Sequence, residues 1–305
     1  MKAFITGIAG FTGKHLKELL ESQGVKVTGI DLKKVKGGYQ GDLSNKSKLE
    51  KILNKEKPDY IFHLASPIIR SQELIDKSLQ KNLAVDLFSS VNLLQTAAQL
   101  KKKPKILITG TAAVYKAGDK KPFKEIARLE PQNSYGLSKL TQELVCLQLA
   151  KSYKLKLVCT RAFLLIGPGQ RPGWVITDLG RKTAEIERGK IRPVLVIGNL
   201  NIKRDFLDVR DGVKAYWLLI RKGKAGEVYN VCSGKAKSIK QVVNGFKQLS
   251  KKQFKIKQKN QWRKNDPNTI VGDNQKLRGL GWQPKISFKT SLQDTLDYWR
   301  KELKA

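Results

Sequence analysis

The segment Lys2-Ala3-Phe4-Ile5-Thr6-Gly7-Ile8-Ala9-Gly10-Phe11-Thr12-Gly13 decides the fold class of this chain. An apolar run ends at Gly7, glycines recur at every third position, and Leu16, Leu19 and Leu20 then mark one face of a helix over Thr12 to Ser22. A strand, a glycine turn and a helix in that order let main chain approach a pyrophosphate. The positive end of the helix favours the charge. Gly7, Gly10, Phe11, Thr12 and Gly13 are therefore candidate dinucleotide contacts, although the spacing is GxxGxxG and not GxGxxG.

Val25 to Ile30 reads as the second strand, and Asp31 follows it, 18 residues after Gly13. A carboxylate there accepts from both ribose hydroxyls and repels a 2′-phosphate, which favours NAD. Leu32 adjoins it as a further contact, while Lys33 and Lys34 suit a 2′-phosphate and keep NADP open. Asp42 and Leu43, after a third strand region, suit the adenine edge; Asp42 serves equally as a charge at a helix N-terminus. A strand over Asp59 to Leu64 leads into Ala65 and Ser66, so Leu64, Ala65 and Ser66 are placed along the same crevice.

The alternation continues with helices over Lys46 to Asn54, Asp86 to Lys101 and Ser134 to Tyr153, and strands over Lys105 to Thr109 and Leu155 to Thr160. Repeated strand–helix units predict an α/β fold, a doubly wound parallel sheet of the Rossmann type. From Gly167 the pattern changes to the breaker-rich run Gly167-Pro168-Gly169-Gln170-Arg171-Pro172-Gly173. Helices over Val175 to Arg188, Gly212 to Arg221 and Ser291 to Lys301 follow, with a strand over Val194 to Ile197. The expected organisation is a dinucleotide-binding domain over 1–166, completed by parts of 204–234, and a smaller interleaved substrate lobe within 167–305.

With 305 residues, 40% of them hydrophobic, the chain has ample core for one large unit or two lobes. No apolar run is long enough to span a membrane, and the start is a short strand, not a signal peptide; cytoplasm is the expected compartment. Cys146, Cys159 and Cys232 are widely spaced and read as buried free thiols. His15 and His63 lack partners at metal-ligand spacing, so no metal is expected. The net charge of +34 is mostly lysine spread along the whole length, which argues for a solvated surface over nucleic-acid readout. Such a surface also attracts anionic substrates.

Tyr135 and Lys139 stand four apart and share one helix face. An ammonium beside a phenol favours the phenolate, so Lys139 is expected to draw the Tyr135 pKa down toward neutrality. A phenol tuned in this way passes a proton to or from an alcohol or carbonyl oxygen.

Taken together, the glycine turn, Asp31, Asp42, His63-Leu64-Ala65, Thr111 and Tyr135/Lys139 follow one order, and nearly the whole chain resembles the extended short-chain dehydrogenase/reductase family. Gly167-Pro168-Gly169-Gln170, Gly198-Asn199-Leu200, Arg204 through Asp211, Ala215-Tyr216-Trp217 and Gly226 through Gly234 resemble its GDP-sugar reductases in particular. That resemblance implies Tyr135 as acid/base, Lys139 as its tuning cation and ribose-hydroxyl donor, and Thr111 as the hydroxyl holding the substrate oxygen. Ala112 lies beside the substrate, and Arg171, Arg204 and Arg263 are the arginines expected at its pyrophosphate. The implied substrate is a GDP-sugar or another nucleotide sugar, the implied assembly a homodimer through a four-helix contact, and the implied reaction the reduction of GDP-4-keto-6-deoxy-D-mannose to GDP-D-rhamnose. A 4-epimerase or GDP-mannose 4,6-dehydratase, or a non-catalytic NAD-binding regulator, are the alternatives.

Dehydratases of this group carry a carboxylate two residues after the Thr; here that position is Ala113, which cannot move a proton. The chain departs from the family pattern elsewhere too. The family's helix Asn falls at Asp86, with Asn82 near but at the wrong spacing. Leu164 and Leu165 stand where Asn and often His are usual, and Lys116 replaces a common Gly.

Overall fold

The computed structural model describes residues 1–66, 75–116, 122–259 and 268–304. The first half runs β1 (Lys2–Thr6), α1 (Phe11–Ser22), β2 (Lys26–Asp31), β3 (Tyr39–Gln40), α2 (Lys46–Glu56) and β4 (Tyr60–His63). Then come α3 (Ile75–Leu83), a π-helical turn (Ala84–Phe88), α4 (Ser89–Gln99), β5 (Lys105–Thr111), α5 (Ser134–Ser152) and β6 (Lys156–Ala162). The second half runs β7 (Leu164–Ile166), α6 (Val175–Glu187), β8 (Val194–Ile197), β9 (Lys203–Asp208), α7 (Val209–Lys222), β10 (Val228–Val231) and β11 (Ala236–Ser238). It closes with α8 (Ile239–Leu249), β12 (Lys255–Gln258), β13 (Thr269–Ile270), α9 (Gln275–Arg278) and α10 (Phe288–Glu302).

Seven strands form one sheet in the order β10-β6-β5-β4-β1-β2-β3. All its pairings are parallel. The doubly wound α/β reading therefore holds. Its strands are short apolar runs because both faces are covered. Leu16 and Leu20 of α1 join Val213, Tyr216 and Leu219 of α7 in the core on one face. Leu49 of α2, Leu93 of α4 and Cys146 of α5 fill the other. The strand order reverses between β1 and β4, so their carboxyl ends open the crevice where ligands of such sheets bind. A separate core, with Ile176, Val242, Phe246 and Leu292, packs α6, α8 and α10 behind the small sheet of β7, β9, β11 and β13. All three cysteines are buried and free. No helix among the described residues is long and apolar enough to cross a membrane.

Two boundaries differ instructively from the sequence expectation. The helix expected from Asp86 continues upstream to Ile75, through the π turn. Hydroxyls hold that widened turn: Ser90 Oγ donates to Asp86 O at 2.5 Å, and Ser89 Oγ donates to Val85 O. The helix expected from Gly212 starts at Val209, because Asp208 caps it by accepting from Arg210 N at 2.9 Å. Helix α8 lies outside the sequence reading, although Ser238 and Gln241 form a reciprocal cap just before its apolar run.

Candidate active site

The glycine turn joins β1 to α1 and is sterically closed. Gly7 has φ +72°, and a Cβ there would stand 2.9 Å from Ala65 N; at Gly13 it would stand 2.3 Å from Gly7 O. Only glycine lets the two strand ends and the helix start meet at these distances. Gly10 is the N-cap of α1 and offers no side chain, and no acidic residue occupies the first turn. The first N–H groups, beside Phe11 and Thr12, are thus left for an outside acceptor.

Asp31 braces this turn from β2: one carboxylate oxygen accepts from Ala9 N at 2.9 Å, the other from Lys33 N at 3.0 Å. Leu32 beside it is 70% exposed, an apolar surface at the rim of the crevice. Asp42 is exposed and accepts from Ser44 N at 2.8 Å, closing a local turn; Asn45 caps α2, so Asp42 is not its N-cap. Leu43 turns into the core, with its carbonyl bonded by Asn92 Nδ2 at 3.1 Å. On the β4 side, Leu64 and Ala65 lie half-buried against Gly7, and Ala65 N donates to Thr6 Oγ1 at 3.2 Å.

Thr111, Tyr135 and Lys139 come together at the carboxyl end of β5. Thr111 starts a short 3₁₀ turn, Ala112–Val114, by accepting from Ala113 N at 3.2 Å, and Ala112 is buried in that turn. Helix α5 reaches this turn because position 136 is glycine, where a Cβ would stand 2.4 Å from Ala113 O. The Tyr135 phenol lies near the Thr111 side chain. Its pKa is raised above the ordinary phenol value, first by burial and also by Asp86; Lys139 and the nearby Thr111 hydroxyl pull it down and do not prevail. The expectation that Lys139 brings this phenol toward neutrality is corrected, because burial and a nearby carboxylate outweigh the ammonium.

That carboxylate belongs to the residue the family pattern does not expect. Asp86 and Lys139 are 0% and 2% exposed, and Lys139 Nζ lies 3.1 Å from Asp86 Oδ1. Lys139 Nζ also donates to Thr109 O at 3.1 Å and Gln142 Oε1 at 2.9 Å, so all three of its hydrogens have acceptors. Ser66 Oγ donates to Asp86 Oδ1 at 2.7 Å and Ser138 Oγ to Asp86 Oδ2 at 3.0 Å, so Ser66 is bonded to the carboxylate. Gln142 Nε2 reaches Asp86 O at 2.9 Å and Ser90 Oγ at 2.7 Å. His63 continues the network through Ser90 Oγ at 2.9 Å and Thr6 Oγ1 at 2.8 Å. Burial, with Lys139 nearby, holds the His63 pKa down to about 3. Gln142, Ser90 and Thr109 are absent from the sequence reading. The signal for Gln142 was a polar residue buried on the inward face of α5, where apolar periodicity is the usual guide; Ser90 lies on α4 and Thr109 on β5.

The substrate end is less convergent. Arg171 is exposed in the loop after β7, Arg204 on β9 donates to Lys203 O at 2.8 Å, and Arg263 lies outside the described residues. The aspartates around Arg204 are structural. Asp205 accepts from Ser233 N at 2.7 Å and Gly234 N at 2.9 Å. Asp211 accepts from Lys285 N and Ile286 N, each at 2.7 Å. The loop Gly167–Gly173 meets α1 through His15, whose Nε2 lies 3.0 Å from Pro168 O.

Comparison with known proteins agrees with this geometry. The GDP-mannose 4,6 dehydratase family model matches residues 4–295. The chain is 31% identical to GDP-6-deoxy-D-mannose reductase of Pseudomonas aeruginosa, covering 99% of this chain and 98% of that protein. It is 29% identical to GDP-6-deoxy-D-talose 4-dehydrogenase of Aggregatibacter actinomycetemcomitans, covering 91% and 90%. Among solved structures, RMD from Pseudomonas aeruginosa complexed with NADPH superposes with a TM-score of 0.88, 29% identity and 99% coverage of both chains. A glycine cradle closed around β1 and β4, a Thr–Tyr–Lys cluster at the end of β5, and similarity over almost the full length place this chain in the GDP-mannose 4,6 dehydratase family.

Proposed function

We propose that the protein is an NAD(P)-dependent nucleotide-sugar oxidoreductase that reduces the C4 carbonyl of GDP-4-keto-6-deoxy-D-mannose to GDP-D-rhamnose. One observation carries the reading: a phenol and a hydroxyl side chain set close together beside a buried ammonium, with alanine at position 113. The uncapped start of α1 and the glycines at 7, 10 and 13 fit a dinucleotide pyrophosphate, and Asp31 and Leu32 fit its adenosine ribose. A bound NADH or NADPH supplies the hydride. Tyr135 gives its phenol proton to the C4 oxygen, and Thr111 holds that oxygen by a hydrogen bond as negative charge develops on it. Ala113 offers no carboxylate for the proton abstraction that dehydration also requires. Arg171, Arg204 and Arg263 are assigned to the nucleotide diphosphate, and the elements after Gly167 other than α7 and β10 to a substrate lobe.

The test is incubation of purified protein with GDP-4-keto-6-deoxy-D-mannose and NADH or NADPH. Continuous loss of the reduced-cofactor absorbance, with a 4-hydroxy product, is expected. Product without net cofactor oxidation overturns reduction in favour of epimerisation. Asp31 predicts the higher kcat/KM with NADH; a preference for NADPH transfers the ribose end to Lys33 and Lys34. The proposed compartment is the cytoplasm. The proposed assembly is a homodimer through the helical layer of the π turn, α4 and α5, where Phe88 and Val85 of the turn and Leu144 of α5 are 59%, 38% and 56% exposed. Sedimentation as a monomer at micromolar concentration rejects that assembly.

A further inference from the structure

The π turn is the one place where the long helix leaves α-helical geometry, and it sets Asp86 against α5. Three groups close on the carboxylate: Ser66 Oγ, Ser138 Oγ and Lys139 Nζ. The ammonium is closed in turn by Asp86, Thr109 O and Gln142 Oε1. Two opposite charges are thus fully buried, mutually neutralised, and held beside the phenol that the reaction uses.

We propose that Asp86 is a positioning residue of the proton-transfer device: its carboxylate holds Lys139 in a closed set of acceptors, cancels its charge, and so keeps Tyr135 a phenol, the form a reductase needs as proton donor. This rests on the reading of Tyr135 as proton donor for its catalytic meaning, but not for its physics. A buried ammonium alone beside Tyr135 favours the phenolate; the carboxylate opposes it. The other titratable groups facing the cluster among the described residues are His63 of β4, Cys146 of α5, Cys159 of β6 and Tyr216 of α7. Burial depresses His63 to about 3, raises Cys146 to about 12 and raises Cys159 and Tyr216, so none of the four changes charge near neutral pH.

The test is a spectrophotometric phenolate titration of the full chain without cofactor or substrate. Each background is read as the difference from the same background carrying Tyr135→Phe. Asp86→Asn is expected to lower the Tyr135 midpoint by about one to three units, and Lys139→Met to raise it. Asp86→Asn/Lys139→Met carries no buried charge and is expected to titrate close to the parent. An unchanged or raised midpoint in folded Asp86→Asn overturns the proposal. If Asp86→Asn alone does not fold, the double variant decides: a midpoint displaced from the parent by more than about one unit overturns it. The pH profile of kcat should shift in the same direction as the titration. A shifted titration without turnover on the keto-sugar rejects the proposed reaction and leaves this inference standing.

Discussion

Helix α5 carries two buried ion pairs one turn apart, and they are built for different work. Glu143 receives a two-pronged fork from Arg161, Nε at 3.0 Å and Nη2 at 2.6 Å. Arg161 Nη1 also donates to Tyr115 Oη at 3.1 Å and Glu125 O at 2.7 Å. Tyr115 passes the connection to Asn230 Oδ1 at 2.6 Å, so the pair binds α5, β6, β10 and the segment before α5 into one frame. A planar guanidinium suits that task because its donors are fixed in direction. Lys139 opposite Asp86 is a point charge whose three acceptors are a carboxylate, an amide and a main-chain carbonyl. An ammonium turns freely and exchanges partners, which suits the proposed role of a charge that acts on a phenol and admits a ribose. Similar burial and similar pairing thus serve rigidity in one case and, in the proposed reading, proton control in the other.

The comparison breaks most sharply at the group on which only one pair acts. Tyr135→Phe is expected to lower kcat by about 10²–10⁴-fold while the melting midpoint and cofactor binding are retained; near-normal turnover ends the assignment. Arg161→Met is expected to do the reverse. Leaving Glu143 buried without its partner costs about 3–5 kcal/mol of stability, read by urea unfolding, with no shift in the Tyr135 titration. A stability loss well below that range, or a shifted phenol, erases the distinction between the two pairs.

A smaller effect sharpens the same contrast through pH. His63 sits behind the Lys139 network, and its folded pKa of about 3 lies below the ordinary 6.5. The unfolded chain therefore takes up a proton that the folded protein refuses. The stability is fully present above the ordinary value and is lost as pH falls toward the folded one. Between about pH 7 and pH 5 this costs about 2 kcal/mol, a loss that His63→Asn should lack even if its baseline stability is lower. Equal pH slopes in urea melts of both proteins contradict the assignment.

The legible parts of the molecule are those whose cause is local in sequence. Gly7, Gly10 and Gly13 announce a turn because their lack of side chains is needed within a few residues of each other. The parallel sheet follows from repeated apolar runs separated by helical periods. The Arg204–Asp211 segment was legible as a signature and not as a function. Asp205 is bonded to Ser233 and Gly234, and Asp211 to Lys285 and Ile286, far along the chain, so the fold shows both to be joints.

Composition and spacing by themselves determined the doubly wound α/β class, the dinucleotide turn, and the adjacency of Tyr135 and Lys139, because each depends on a helical or strand period that neighbouring residues set. Only the tertiary structure decided the electrostatic state of that adjacency. Asp86 meets Lys139 across two helices, through a π turn held by serine hydroxyls, and burial strips away the water that would screen the pair. Desolvation and charge balance are properties of packed neighbours; the pull of one lysine on one tyrosine, read along a single helix, omitted the carboxylate that opposes it.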